Sequence, residues 1–210
     1  MTALTKDRND FLKAVGDAVQ SYAEVEKSQA RLLQCILGVD SIQAATIFFT
    51  IQNVRSRNEL FSSLAEHRYN DAYKKYWESC AAFLHTLSVF RNAIVHWHPR
   101  TIVYVNRSGD PSNAPKDAEP AIHNPMPGRG NTFLRLNDFK PFMVDCNIIR
   151  EEMDQFSEFL RDPDGADDPT LHERFSRPLP RQNRAVLQSV QPPKEPRSPP
   201  RSSRASRRLR

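Results

Sequence analysis

With 210 residues, the chain has room for one domain plus appendages. Its 39% hydrophobic content is low for a fully packed globular chain, so part of it is expected to lie outside any core. The net charge of +5 divides unevenly: Leu171 to Arg210 carries 11 Lys/Arg against 2 Asp/Glu, and Met1 to Thr170 carries 19 against 23, so a basic tail follows a mildly acidic body.

No stretch approaches about 18 uninterrupted apolar residues, and the N-terminus lacks an apolar leader, so neither a membrane span nor a secretory signal is expected. The first 98 residues contain no proline and two glycines, Gly16 and Gly38. Such rationing of breakers predicts mostly helix. The first helix is expected from about Lys6 to Leu37, on a seam of Phe11, Val15, Ala18, Tyr22, Val25, Gln29, Leu32 and Ile36. Gly38 supplies its stop. Asp40 or Ser41 can cap a second helix whose seam is Ala44, Ile47, Ile51, Val54, Asn58, Phe61 and Ala65. Arg55 and Arg57 flank that seam, either solvated or paired with Glu59, or with one of them facing the same cleft as Arg91.

Asn70 or Asp71 can cap a third helix running to about His98, where Pro99 stops it. Its stripe is Tyr73, Trp77, Cys80, Leu84, Leu87, Arg91 and Ile94. Thr101 to Asn106 reads as a short strand, Arg107 to Asn131 as a loop, and Thr132 to Leu136 as the returning strand of a hairpin. Asn137 or Asp138 caps a fourth helix, with Pro141 tolerated in the first turn and a seam of Phe142, Cys146, Ile149, Met153, Phe156 and Leu160. From about Pro163 onward order is expected to fade, because the last 40 residues hold seven prolines and one aromatic, Phe175. The expectation is therefore an all-α, up-down bundle of four long helices in residues 1–162. A hairpin and loop insertion occupies about 99–136, and a disordered basic tail follows from 163. Cys35, Cys80 and Cys146 are odd in number and lie on or beside apolar stripes, which predicts reduced thiols and a cytoplasmic protein.

Arg91 occupies a slot where the third stripe calls for an apolar residue. Asn92 and His96 lie one turn apart on the same helix face, with Arg91 at its edge. A guanidinium, a carboxamide and an imidazole thus reach one region of space. Plainer roles stay open: Arg91 as a partner for helix carbonyls or a buried acid, and His96 as a satisfied interface histidine. His96 and His98 diverge by about 200° on a helix, so they make no metal pair. No phosphate-binding loop, HExxH or GxSxG is present; neither a metal nor a cofactor is expected.

An Arg followed by a polar residue and then by a His, near the end of the third long helix of a bundle, resembles the HEPN superfamily. Arg91, Asn92 and His96 fit its Arg-x(4–6)-His pattern. The resemblance covers roughly residues 6–162 as helix layout and is specific over residues 90–98. It implies a homodimer with the Arg and His of both subunits in one cleft. It also implies a metal-independent endoribonuclease, in a toxin or defence setting, or an inactive relative that binds RNA or a protein partner. Members paired with a nucleotidyltransferase antitoxin carry a modified tyrosine two residues after the histidine; here that residue is His98.

The residue types suit RNA cleavage. An imidazole, with an ordinary pKa of about 6.5, can take or give a proton near neutral pH. An arginine fork matches phosphate oxygens. Asn92 can fix the imidazole or hold a phosphate oxygen. The basic tail reads either as a salt-dependent, non-specific nucleic-acid binder or as a solubilising terminus.

Overall fold

The computed structural model describes residues 3–69, 71–103, 118–125, 133–161 and 169–179. Among these the chain is mostly helical, with six helices and one small antiparallel sheet. The long helices follow from the seams read above. Helix α1 (Ala3–Leu37) buries Phe11, Ala18, Tyr22, Val25, Gln29, Leu32 and Ile36 on one face. It ends where Gly38 takes φ 67°, a left-handed backbone that glycine adopts without a Cβ penalty, and where the Gly38 N–H donates to the Gln34 carbonyl at 2.9 Å.

Helix α2 (Ser41–Thr50) opens on Asp40, whose carboxylate accepts from the N–H groups of Ile42 and Gln43 at 2.8 and 2.9 Å while Gln43 reaches back to the Asp40 N–H. This reciprocal cap satisfies donors that have no partner within the helix. Asp40→Ala is expected to cost about 1 kcal/mol, read as a lower denaturant midpoint at constant slope; an unchanged midpoint would show the cap to be idle.

The expected second helix is two helices. Ile51 turns to extended backbone, and α3 (Val54–Tyr69) starts afresh. Asn53 causes the restart, since its side-chain oxygen accepts from the N–H groups of Arg55 and Ser56. The break also resets the phase of the seam: Phe48 is buried and Ile47 is 38% exposed, the reverse of what one continuous helix predicts.

Helix α4 (Lys74–His96) buries Trp77, Cys80, Leu84, Leu87 and Ile94. Its N-cap is Tyr73, with no side-chain cap bond, in place of the expected Asp71; Asn70 lies outside the described residues. Helix α5 (Leu136–Arg161) carries Pro141 near its start and buries its whole expected seam. Helix α1 packs along α5 and also touches α2, α3 and α4, and the core lies among α1, α4 and α5. Aromatic rings fill much of it; Phe90 stacks on Phe142 at 4.4 Å, and Phe142 on Tyr22 at 6.4 Å.

Between α4 and α5 stands a three-stranded sheet in place of a hairpin: β1 (His98–Val103), β2 (Ala118–His123) and β3 (Phe133–Leu134), in the order β1-β2-β3. β2 falls inside the stretch expected to be loop (107–131), of which 107–117 and 126–131 lie outside the described residues. Ile122 and Leu134, cross-strand partners, carry one face of the sheet into the core.

Contrary to the expectation that order fades from Pro163, a sixth helix lies beyond it. Helix α6 (Pro169–Ser176) buries Phe175 against Tyr76, Phe156 and Phe159 at 5.0 Å each. Arg174 pairs with Glu152 at 2.9 Å, and the Leu179 N–H donates to Ser79 Oγ. A single aromatic, with Leu171 and Leu179 beside it, suffices to dock this stretch; residues 162–168 and 180–210 lie outside the described residues. No single helix among the described residues is long and apolar enough to cross a membrane.

Candidate functional site

The last two turns of α4 hold all three residues singled out in the sequence. Their local fold is set by Phe90, Ala93 and Ile94, which are buried and fix the rotation of the helix. With those three facing inward, Asn92 and His96 must face solvent, and both are exposed. Arg91, at the boundary, is half-buried. Its guanidinium donates to Asn92 Oδ1 at 3.2 Å. The structure thus joins Arg91 to Asn92 directly and places His96 one turn further along the same exposed face. That face also carries His85, Val89 and Val95; the two valines are 42% and 49% exposed.

The charge of Arg91 is also felt inside the bundle. It acts on the hydroxyl of Tyr22, a buried residue of α1. Burial pushes the Tyr22 hydroxyl well above its ordinary range, and the nearby Glu26 carboxylate pushes it further, while Arg91 and Arg57 oppose them. Sequence reading did not find this Tyr22–Glu26 neighbourhood, because α1 lies some 70 residues away in the chain and its helical spacing reads only as core.

The two flanking arginines separate. Arg55 pairs with Glu59 at 2.8 Å on the exposed side of α3. Arg57 is buried and pairs with Glu26 at 2.7 Å instead of Glu59. It also donates to the Ile51 carbonyl at the α2–α3 break and lies 4.3 Å over the Phe48 ring. Arg57, not Arg55, therefore shares a neighbour, Tyr22, with Arg91.

His98 leaves the helix altogether. Trp97 takes extended backbone, and His98 begins β1, directly opposite His123. Among the described residues no cluster of three or more His, Cys, Asp or Glu is placed to hold a metal ion. Two of the three thiols are poor nucleophiles: Cys80 and Cys146 are buried, and burial raises both, Cys146 to about 12, while Cys35 is half-buried.

Chemically, the end of α4 offers a proton carrier, a carboxamide and a phosphate-matching fork on one accessible side. No protein-family model, curated protein or solved structure matches the chain.

Proposed function

We propose that this chain is a HEPN-type, metal-independent endoribonuclease that works as a homodimer in the cytoplasm. The observation that supports the reading is the exposed α4 face on which Asn92 and His96 stand one turn apart, with Arg91 bound to Asn92. Val89 and Val95 make the same face apolar enough to pack against a second copy. A twofold axis there gives the cleft two imidazoles. One removes the 2′-hydroxyl proton as O2′ bonds to phosphorus; the other protonates the departing O5′ as the P–O5′ bond breaks. Arg91 holds the non-bridging oxygens as negative charge builds on them. Products are 2′,3′-cyclic phosphate and 5′-hydroxyl ends.

A second reading, an inactive module that binds RNA or a protein partner, draws on the half-burial of Arg91, whose charge also acts on buried Tyr22. One experiment separates the two. Purified protein with labelled structured RNA in EDTA is expected to yield cyclic-phosphate ends at the rate seen without chelator. RNA retardation with no such ends between about pH 6 and 8 would leave only the binding module.

A further inference from the structure

The sheet beside His96 has a face that the mechanism above does not use. Its register places His98 opposite His123, and His123 opposite Phe133. Direct partners in an antiparallel sheet project to the same side, and so do residues two apart along one strand. His98, His123 and Phe133 therefore form a row across all three strands. Arg100 stands two residues beyond His98 on that side, and Glu119 stands on it four residues before His123 in β2. The Arg135–Glu119 pair, at 3.1 Å, crosses this same face. The opposite side is the one that sends Ile122 and Leu134 into the core.

Several features set this row apart from an ordinary solvated face. The Phe133 ring is half-buried, and the His123 ring lies against it at 5.0 Å, tilted by 52°. His123 Nδ1 is enclosed with no hydrogen-bond partner among the described residues, and such an atom costs free energy to keep. Arg100 is exposed, a cation beyond the Arg135–Glu119 pair. The row also begins two residues after His96, so the Cα atoms of His96 and His98 are at most about 7 Å apart. Two aromatic rings in contact, flanked by a guanidinium and next to a cleft for a phosphodiester, offer a face for an unpaired base to stack on and a charge for its phosphate.

We infer that the His98–His123–Phe133 face is a stacking platform for an unpaired nucleobase of single-stranded RNA, adjoining the scissile phosphate, with Arg100 on a flanking phosphate. This rests on reading the end of α4 as an RNA-cleaving site. The platform makes single strands and loops the preferred substrate, because a paired base keeps its faces covered by its neighbours.

The test uses the full chain and a fluorescent single-stranded oligonucleotide with 2′-O-methyl sugars, which lack the nucleophile and so report binding alone. Phe133→Leu keeps an apolar side chain in the half-buried slot and removes the aromatic face. It is expected to weaken single-strand binding by about 5- to 150-fold, with little effect on a duplex of the same sequence. Phe133→Trp is expected to restore binding. Arg100→Gln is expected to lower the slope of log affinity against log salt by about 1. Elevated salt suppresses contacts made by the basic tail and leaves stacking largely in place, so the Phe133 effect should persist there. Unchanged single-strand affinity of Phe133→Leu, with an unchanged melting temperature, would overturn the platform, as would a wild-type chain that does not bind the probe. Failure of the ribonuclease reading looks different: ribose RNA stays intact while Phe133→Leu still loses affinity.

Discussion

His96→Ala is expected to lower the cleavage rate by about 100- to 10,000-fold, the usual contribution of a positioned acid or base. The melting temperature should stay within a degree or two of wild type. Both halves follow from position. His96 is the last residue of α4 and is exposed, so truncation opens no cavity. Alanine is also the stronger helix former. Arg91→Ala is a less clean probe, since it removes the donor to Asn92 and a charge beside buried Tyr22 along with any phosphate contact. A shared cleft makes a further demand. Mixing wild-type subunits with an excess of His96→Ala subunits should depress activity more than dilution does, because each mixed dimer has lost one of two imidazoles. Cleavage by His96→Ala at the wild-type rate would end the assignment.

The helices that could be read from sequence are those in which one seam runs unbroken between clear stops. In α1 and α5, apolar residues recur every three or four positions, and Gly38 closes the first. Across 41–69 the same spacing misleads, because Ile47, Ile51, Val54 and Asn58 keep helical intervals through a break. The local signal was Asn53, a side chain that competes for backbone N–H groups and so starts a new helix. Strand β2 was hidden by Pro120. That proline is tolerated because β3 pairs only with Ile122 and His123, so at Pro120 the strand has β1 alone as a neighbour. Helix α6 was hidden by composition: a basic, proline-rich average says nothing of one phenylalanine that finds three aromatic neighbours.

At the candidate site, the sequence was informative within one helix and silent between elements. An arginine in an apolar slot at position 91 announces a half-buried cation, and the structure places it so. The four-residue interval from Asn92 to His96 guarantees a common face on any α-helix. Neither fact reveals Tyr22 and Glu26, which approach only when α1 and α4 pack together. The row of His98, His123 and Phe133 likewise needs a strand register, and no turn of fixed length among the described residues sets one.

Arg57→Ala is expected to destabilise the fold by about 3–5 kcal/mol, the range for removing one partner of a buried ion pair. Arg57 and Glu26 are 9% and 19% exposed at their side chains and meet at 2.7 Å. Removing the guanidinium leaves that carboxylate uncompensated and takes the donor from the Ile51 carbonyl at a helix break. It also empties the space above Phe48. Against a typical total stability of about 5–15 kcal/mol, the loss amounts to a fall in melting temperature of roughly 6–20 °C for a domain of this size. Arg55→Ala, two residues earlier and paired on the exposed side of the same helix, should change it little. The double replacement Arg57→Met with Glu26→Leu should recover part of the loss, because it removes the stranded charge, but not all of it, because the Ile51 carbonyl still lacks its donor. Thermal melts of the four proteins decide the matter. Equal melting temperatures for Arg57→Ala and Arg55→Ala would mean that the α2–α3 corner is held to α1 by apolar packing alone.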